Sequence, residues 1–347
     1  MSARIPVAVF GVSGYTGSEA LRLLASHPVF EVVAAGGSTT AGERIAALHP
    51  HLPALAHLTV ERLDPGGVGA AAALLALPHE ESAEVAPALL DAGIRVVDLS
   101  GAFRLSPEAY PAWYGFVHPA PVWAEKAAYG LPELHAFEIA GADLVANPGC
   151  FPTAAVLALA PLLRAELISR MGIVVDAKSG ISGAGRTPTH AAQYASSEGS
   201  VRPYKPGGVH RHVPEMEAQL AGAAGAPVAV SFVPHLVPTV RGILVTCYAP
   251  LAASADDGKL HGALAKAYAE APFVRVLEPG TLPDTKRTTG ANAIEIGAVL
   301  DQHTGTAVVM AAIDNLVKGA AGQALQNLNL MFGLPETAGL EAAAVYP

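Results

Sequence analysis

Over the first 150 positions, short apolar runs alternate with stretches of helical spacing. Residues 4–10, 30–35, 71–77, 94–100 and 144–146 are near-continuous apolar runs, the pattern of parallel strands covered on both faces. Residues 18–27 and 80–92 repeat their apolar positions every three to four residues and read as helices. Strand and helix in turn predict an α/β fold, a doubly wound parallel sheet of Rossmann type. Residues 110–134, dense in aromatics and prolines, interrupt the alternation as an irregular excursion. From Thr153 a long apolar run rich in helix formers predicts a buried helix. Beyond it the texture changes. Strands are expected at 172–178, 228–233, 242–249, 292–300 and 306–313, with a helix over 214–220, which reads as an α+β region with a mostly antiparallel sheet. Its free face is a candidate oligomerisation surface. Residues 314–329 read as a helix packing back on the first region. The expected division is a Rossmann-type domain over 1–150, completed by a C-terminal helix 314–347, and an α+β domain over 151–313.

Composition narrows the function classes. A chain of 347 residues, 51% hydrophobic and 15% charged, is a well-buried globular protein, too long for one small core. A net charge of −9 argues against nucleic acid or an anionic membrane as the main partner. Its 2 cysteines, Cys150 and Cys247, provide no disulfide framework and suit a reducing compartment. Residues 1–9 run straight into a strand rather than forming a secretory leader, and no apolar run is long enough for a membrane span, so a cytoplasmic location is expected. No metal-ligand spacing stands out.

The candidate chemistry gathers at residues 144–155, Leu-Val-Ala-Asn-Pro-Gly-Cys-Phe-Pro-Thr-Ala. A strand ends, Asn147-Pro148-Gly149 supplies turn chemistry, and a helix follows. Cys150 therefore meets the positive end of a helix dipole, a setting that lowers a thiol pKa and yields a nucleophile. A lone cysteine is otherwise a small buried hydrophobe, and the preceding turn argues for the reactive reading. Cys247, inside an apolar run, reads as core.

The first strand leads into Gly11-Val-Ser-Gly-Tyr-Thr-Gly17 and then a helix. The spacing is G-x-x-G-x-x-G, a variant of the dinucleotide fingerprint that keeps its mechanism, glycines admitting a pyrophosphate to a helix N-terminus. At the end of the second strand, where an NAD site carries an acid, stand Gly36-Gly-Ser-Thr-Thr40. Small hydroxyls there, Ser38 first, with Arg44 to neutralise charge, suit the 2′-phosphate of NADP; a plain polar loop is the alternative. Arg104, after the 94–100 strand, is a candidate anion clamp. Ser179-Gly-Ile-Ser-Gly-Ala-Gly185 is a second glycine loop with backbone N–H groups for a nicotinamide, phosphate or oxyanion. His210, Arg211 and His212, ahead of a helix, offer an acid or base beside an anion contact.

With these residues in hand, the chain resembles the N-acetyl-γ-glutamyl-phosphate reductase family, the arginine-pathway branch of the semialdehyde dehydrogenases. The matching pieces are the Gly11–Gly17 loop, Ala76-Leu-Pro-His79, Asp98-Leu-Ser-Gly-Ala-Phe-Arg-Leu105, Tyr129-Gly-Leu-Pro-Glu133, Asn147-Pro-Gly-Cys-Phe-Pro-Thr153, the Ser179–Gly185 loop, His210-Arg-His212 and Asp314-Asn-Leu-Val-Lys-Gly-Ala320, in one order along nearly the whole chain. Ala102 departs from the family's D-L-S-A-D-F-R-L pattern. The resemblance implies NADPH-dependent reduction of an acyl phosphate through a cysteine thioester, a small-molecule substrate and a homodimer or homotetramer. It implies Cys150 as nucleophile, with His212 as the first choice for general acid/base and His210 as substrate contact, or the reverse. Arg104, Arg211 and Asn147 would hold substrate. Gly11, Ser13, Gly14, Tyr15, Thr16, Gly17, Ser38, Ser182, Gly183, Asn315 and Lys318 would hold NADP(H). Aspartate-semialdehyde dehydrogenase, a carrier-linked aminoadipyl-phosphate reductase and a silent NADP-binding sensor are the alternatives.

Overall fold

The computed structural model describes residues 4–187, 189, 193–252 and 255–346. The chain divides into two compact units, residues 1–149 with 320–342 and residues 150–319 with 343–347.

The first unit is built on a seven-stranded sheet: β1 Ile5–Phe10, β2 Phe30–Gly36, β3 Val60–Glu61, β4 Ala72–Leu75, β5 Arg95–Asp98, β6 Ala128–Tyr129 and β7 Leu144–Ala146. The order is β3-β2-β1-β4-β5-β7-β6, and every pairing is parallel. β4 is buried along its whole length, which is why it reads as an unbroken apolar run. The chain winds outward from β1 to one side and then from β4 to the other. The crevice at the carboxyl ends of β1 and β4 is therefore the switch point where such sheets bind ligands. The 110–134 excursion resolves into short helices, Tyr110–Trp113 and Pro121–Lys126, followed by β6. Its aromatic rings pack on the loop after β5: Tyr110 donates to the Gly101 carbonyl at 3.0 Å, and Tyr114 lies so close to Gly101 that a Cβ there would fall 2.3 Å from its hydroxyl.

The C-terminal helix differs from the expected 314–329. Residues Val317–Ala321 form a π-helical turn and the α-helix runs over Gly322–Met331. It ends there because Gly333 takes a positive φ of 67° and Pro335 follows, so residues 332–346 carry no further helix. The α-helix is buried almost all round despite Gln323, Gln326, Asn327 and Asn329. Two of these amides meet backbone carbonyls: Asn327 donates to Gly130 at 2.9 Å and Asn329 to Ala338 at 2.9 Å.

The second unit contains the sheet β8 Ile173–Gly180, β9 Arg202–Pro203, β10 Val230–Val237, β11 Ile243–Pro250, β12 Val274–Val276, β13 Ile294–Asp301 and β14 Thr306–Ile313, in the order β12-β13-β14-β11-β8-β10-β9. It is mixed but predominantly antiparallel, with β8·β10 and β12·β13 the parallel pairs. Alternate residues of β8, β10 and β11 are buried. The apolar set faces a layer that includes helix Cys150–Arg164. That helix is buried from Phe151 to Leu163, as expected of one that is apolar on every side. The other face of the sheet leaves Val174, Asp176, Lys178, Leu244, Thr246 and Val308 half-exposed. A helix at Asp257–Ala267, capped by Asp256 accepting from the Lys259 amide at 2.8 Å, went unread in the sequence because its apolar face is only Leu260 and Leu264.

Candidate active site

In the first unit the Gly11–Gly17 loop is fixed by backbone sterics. Gly11 adopts φ 82°, and a Cβ on it would lie 2.2 Å from the Ala76 carbonyl oxygen, across the switch point between β1 and β4. A Cβ on Gly17 would lie 2.2 Å from the Gly11 carbonyl oxygen. The amides of Gly11 and Val12 donate to the Gly36 carbonyl at 2.8 and 3.0 Å. Helix Tyr15–Ala25 then opens with Gly14 as its N-cap and no side-chain cap, so the first-turn amides of Tyr15, Thr16 and Gly17 lack helical acceptors. Ser13, Gly14 and Thr16 are half-exposed and Tyr15 is exposed along this rim. A cradle that only glycine fits, ending at a helix N-terminus, suits a pyrophosphate. His49 also shapes it, which the sequence did not reveal. This buried imidazole contacts the Val12 carbonyl at 2.8 Å and Ser18 Oγ at 3.2 Å, bracing the loop from a segment 37 residues away.

Ser38 lines a pocket of about 150 Å³ with Gly11, Gly36, Gly37, Glu61 and Arg62. The basic residue at this pocket is Arg62, one position past β3. Arg44 instead donates to the Ala56 carbonyl at 3.2 Å and is not among the lining residues. The signal for Arg62 lay in a two-residue strand too short to register as a period.

Arg104 is half-buried and spends Nε on the Asn147 carbonyl at 2.8 Å and Nη2 on the Leu99 carbonyl at 3.0 Å, clamping the ends of β5 and β7 together. The Asn147 side chain is buried, donating to the Ala320 carbonyl at 3.2 Å and accepting from Asn327 at 3.0 Å. Asp98, fully buried below this loop, has its carboxyl pKa pushed up by loss of water while the Ser100 amide and hydroxyl donate to it at 3.1 and 2.8 Å. The carbonyl of Ala102 is taken by His118 Nε2 at 2.7 Å, so the loop keeps its shape with Ala102 in the departing position.

The second unit gathers the reactive side chains. Cys150 is the first residue of its helix, half-exposed and not in a disulfide. Its neighbour Phe151 packs edge-on against His210 and His212, with centroids 6.1 and 5.9 Å away, and the two imidazoles are 4.8 Å apart. Tyr204 and Phe232 complete the cluster, 5.7 and 5.1 Å from the His210 ring. Burial pushes the Tyr204 phenol up, and negative charge on Cys150 adds to it, which marks this tyrosine as a neighbour of the nucleophile that sequence reasoning missed.

The two histidines differ. His212 opens helix His212–Ala224, and its amide donates to His210 Nδ1 at 3.1 Å. His210 therefore accepts at Nδ1 and carries its proton on Nε2. Burial, then the charges of Lys205 and Arg211, lower its pKa to about 4. It is neutral at physiological pH. Arg211 is the helix N-cap residue and half-buried.

The second glycine loop follows β8 as a turn of 3-10 helix over Ile181–Ala184. Ser182 is half-exposed, Gly183 exposed. Asn315, buried, donates from Nδ2 to Ser182 Oγ at 2.9 Å and accepts at Oδ1 from the Gly242 amide at 2.8 Å. Lys318 is fully buried, its ammonium 5.6 Å from the centre of the Phe273 ring. Among the described residues no cluster of three or more His, Cys, Asp or Glu is arranged to hold a metal, and no helix is long and apolar enough to cross a membrane.

Residues 6–142 match the family model described as "Semialdehyde dehydrogenase, NAD binding domain", and residues 150–315 match "Semialdehyde dehydrogenase, dimerisation domain". The chain is 48% identical to an N-acetyl-gamma-glutamyl-phosphate reductase of Symbiobacterium thermophilum, over 99% of both chains. It is also 48% identical to the enzyme of that name from Desulforudis audaxviator, over 99% of this chain and 100% of the other. Among solved structures, aspartate semialdehyde dehydrogenase II of Vibrio cholerae aligns with TM-score 0.74 at 19% identity, over 96% of this chain and 99% of that one. An aspartate semialdehyde dehydrogenase of Candida albicans with NADP aligns with TM-score 0.71 at 17% identity, over 95% and 99%. At those identities the structural likeness speaks for the fold alone. The sequence likeness places the chain in the semialdehyde dehydrogenase family, on its N-acetyl-γ-glutamyl-phosphate reductase branch.

Proposed function

We propose that the chain reduces N-acetyl-γ-glutamyl phosphate to N-acetyl-glutamate 5-semialdehyde and phosphate, with NADPH as reductant and Cys150 as covalent nucleophile. The observation that carries the reading is Cys150 as the first residue of a buried helix, with His210 and His212 packed around the adjoining Phe151. The helix N-terminus favours the thiolate. The thiolate attacks the acyl carbonyl, the C–O bond to phosphate breaks, and a thioester forms on Cys150. When bound, the cofactor supplies the hydride. Gly11, Ser13, Gly14, Tyr15, Thr16 and Gly17 would hold its pyrophosphate, with Ser38 at the 2′-phosphate and the Ser182–Gly183 loop at the nicotinamide. Backbone N–H groups at the helix start stabilise the oxyanion that develops on the acyl carbon. As that oxyanion collapses to the aldehyde, the C–S bond breaks and the departing sulfur takes a proton.

His212 is the proton donor in this reading. A histidine with a pKa near 4 is unprotonated at neutral pH, which leaves His210 as the substrate contact, neutral and donating from Nε2. Arg104 and Arg211 supply positive charge for the anionic substrate. The half-exposed sheet face of the second unit is the proposed contact in a homodimer or homotetramer, working in the cytoplasm.

The test is the reverse reaction. Mixed with N-acetyl-glutamate semialdehyde, inorganic phosphate and NADP, the protein gives a phosphate-dependent rise in reduced-nicotinamide absorbance. A rise with NAD and none with NADP would overturn the reading of Ser38. Turnover of aspartate semialdehyde or a carrier-bound aminoadipate semialdehyde instead would overturn the substrate.

A further inference from the structure

The ring of His210 is walled by aromatics. Tyr204, Phe151 and Phe232 stand edge-on to it with centroids 5.7, 6.1 and 5.1 Å away. Phe151 follows Cys150 directly and packs on Phe232 at 5.2 Å, so this box lies next to the nucleophile. Among the described residues the one hydrogen bond of the ring is the bond that Nδ1 accepts from the His212 amide at 3.1 Å. It fixes the proton on Nε2 and leaves the Nε2–H as a donor with no protein acceptor among those residues. The ring is half-buried rather than sealed. A polar N–H held between apolar walls costs free energy until something accepts from it. The charges that bear on the ring, those of Lys205 and Arg211, are both positive. The acid in the first turn of the same helix, Glu215, is buried and makes its own contacts.

We infer that His210, with Tyr204 and Phe232, forms the subsite for the acylated amine of the substrate: the Nε2–H donates to the carbonyl oxygen of the N-acyl group, and the aromatic rings cover its methyl. The recognisable parts of N-acetyl-γ-glutamyl phosphate differ in charge. The acyl phosphate and the α-carboxylate are anions and call for guanidinium or ammonium partners. The acetamido group is neutral, with one strong acceptor and one apolar end. A single neutral donor set among rings matches that group and neither anion, because one neutral N–H does not offset the desolvation of a full charge. A free α-ammonium fits worse still. It offers the Nε2–H no acceptor, and it approaches Lys205 and Arg211 as a like charge. The box therefore favours a capped amine and disfavours an uncapped one through the same contact. The inference rests on the proposed substrate and adds which side chains read its acyl group.

The experiment is the reverse reaction of the full chain, with inorganic phosphate and NADP, on two aldehydes. One is N-acetyl-glutamate semialdehyde. The other is glutarate semialdehyde, which keeps the carboxylate and the aldehyde and lacks the acetamido group. The wild type prefers the acetylated aldehyde about 100-fold in kcat/KM, because the site's donor is left unpaired by the other. In His210→Phe, which keeps a ring and loses the donor, the preference falls to about tenfold, and KM for the acetylated aldehyde carries the change. His210→Gln, which returns an N–H, recovers most of the preference; no recovery would contradict the hydrogen bond. A preference unchanged in His210→Phe, with both aldehydes slowed alike, would put His210 on the carboxylate or the reacting carbon and overturn the subsite. A wild type that turns over both aldehydes equally would overturn it without any variant, and would leave the chemistry at Cys150 standing. Turnover of aspartate semialdehyde with none of the acetylated aldehyde is the distinct failure of the substrate reading, and the subsite falls with it.

Discussion

The molecule carries two glycine loops after two strands, and they differ in what meets their outer glycines. The Gly11–Gly17 loop is shaped by backbone against backbone: added side-chain atoms would meet main-chain oxygens at 2.2 Å at both ends. The Ser179–Gly185 loop is held by backbone at its start, where a Cβ on Gly180 would meet the main chain of Val240 and Arg241 at 2.9 Å, and by side chains at Ser182 and Gly183. Asn315, 133 residues beyond Ser182, holds it, and a Cβ on Gly183 would meet the Ser179 hydroxyl at 2.6 Å, an atom that can rotate away. Main-chain sterics make a rigid, anonymous cradle for a group common to many reactions. Side-chain ties make a loop that can be tuned to one reaction.

If chemistry resides in the side chains of the second unit, the largest losses come from deleting them. His212→Ala should lower kcat about 1,000-fold with NADP affinity unchanged, measured by steady-state rates and titration. Equal losses in His210→Ala and His212→Ala would contradict the division between a neutral contact and a proton donor. Gly17→Ala should weaken NADP about 100-fold, because the intruding Cβ meets backbone that cannot move without deforming the switch point. Gly183→Ala should cost only about fivefold in the same titration, since Ser179 can yield. Comparable effects for the two glycines would erase the contrast between the loops.

This contrast also decides what could be read from sequence. The parallel sheet and the first loop were legible because their causes are local: apolar runs make buried strands, and three glycines precede a helix. Cys150 was legible because strand, turn and helix are contiguous around it. The contacts made by Asn315, His49, Tyr204 and Arg62 were not, because each reaches a segment distant in sequence or sits in an element too short to leave a period. The bounds of the C-terminal helix were misjudged: a π-turn over Val317–Ala321 precedes the α-helix, and Gly333 and Pro335 stop the backbone after Met331.

Smaller effects sharpen the picture. Arg62→Ala should weaken NADP about fivefold and leave NAD unchanged, while Arg44→Ala should leave both within about twofold, checked by titration with each cofactor. His210 supplies a pH signature. Its pKa falls from 6.5 in the unfolded chain to about 4 when folded, so the folded state favours the neutral ring. Its contribution to stability is complete above pH 6.5 and is lost as pH falls through 4. Melting temperature followed from pH 7 to 4 should therefore drop more steeply in the wild type than in His210→Gln; parallel curves would place the ring in water.

In the proposed mechanism the substrate passes through a thioester on Cys150. Its most direct test is the intact mass of the protein after brief mixing with N-acetyl-γ-glutamyl phosphate in the absence of reduced cofactor. The account predicts one N-acetylglutamyl adduct, mapped to Cys150, absent in Cys150→Ser and discharged when NADPH is added. No adduct on folded protein that turns over the same substrate would contradict covalent catalysis at this cysteine.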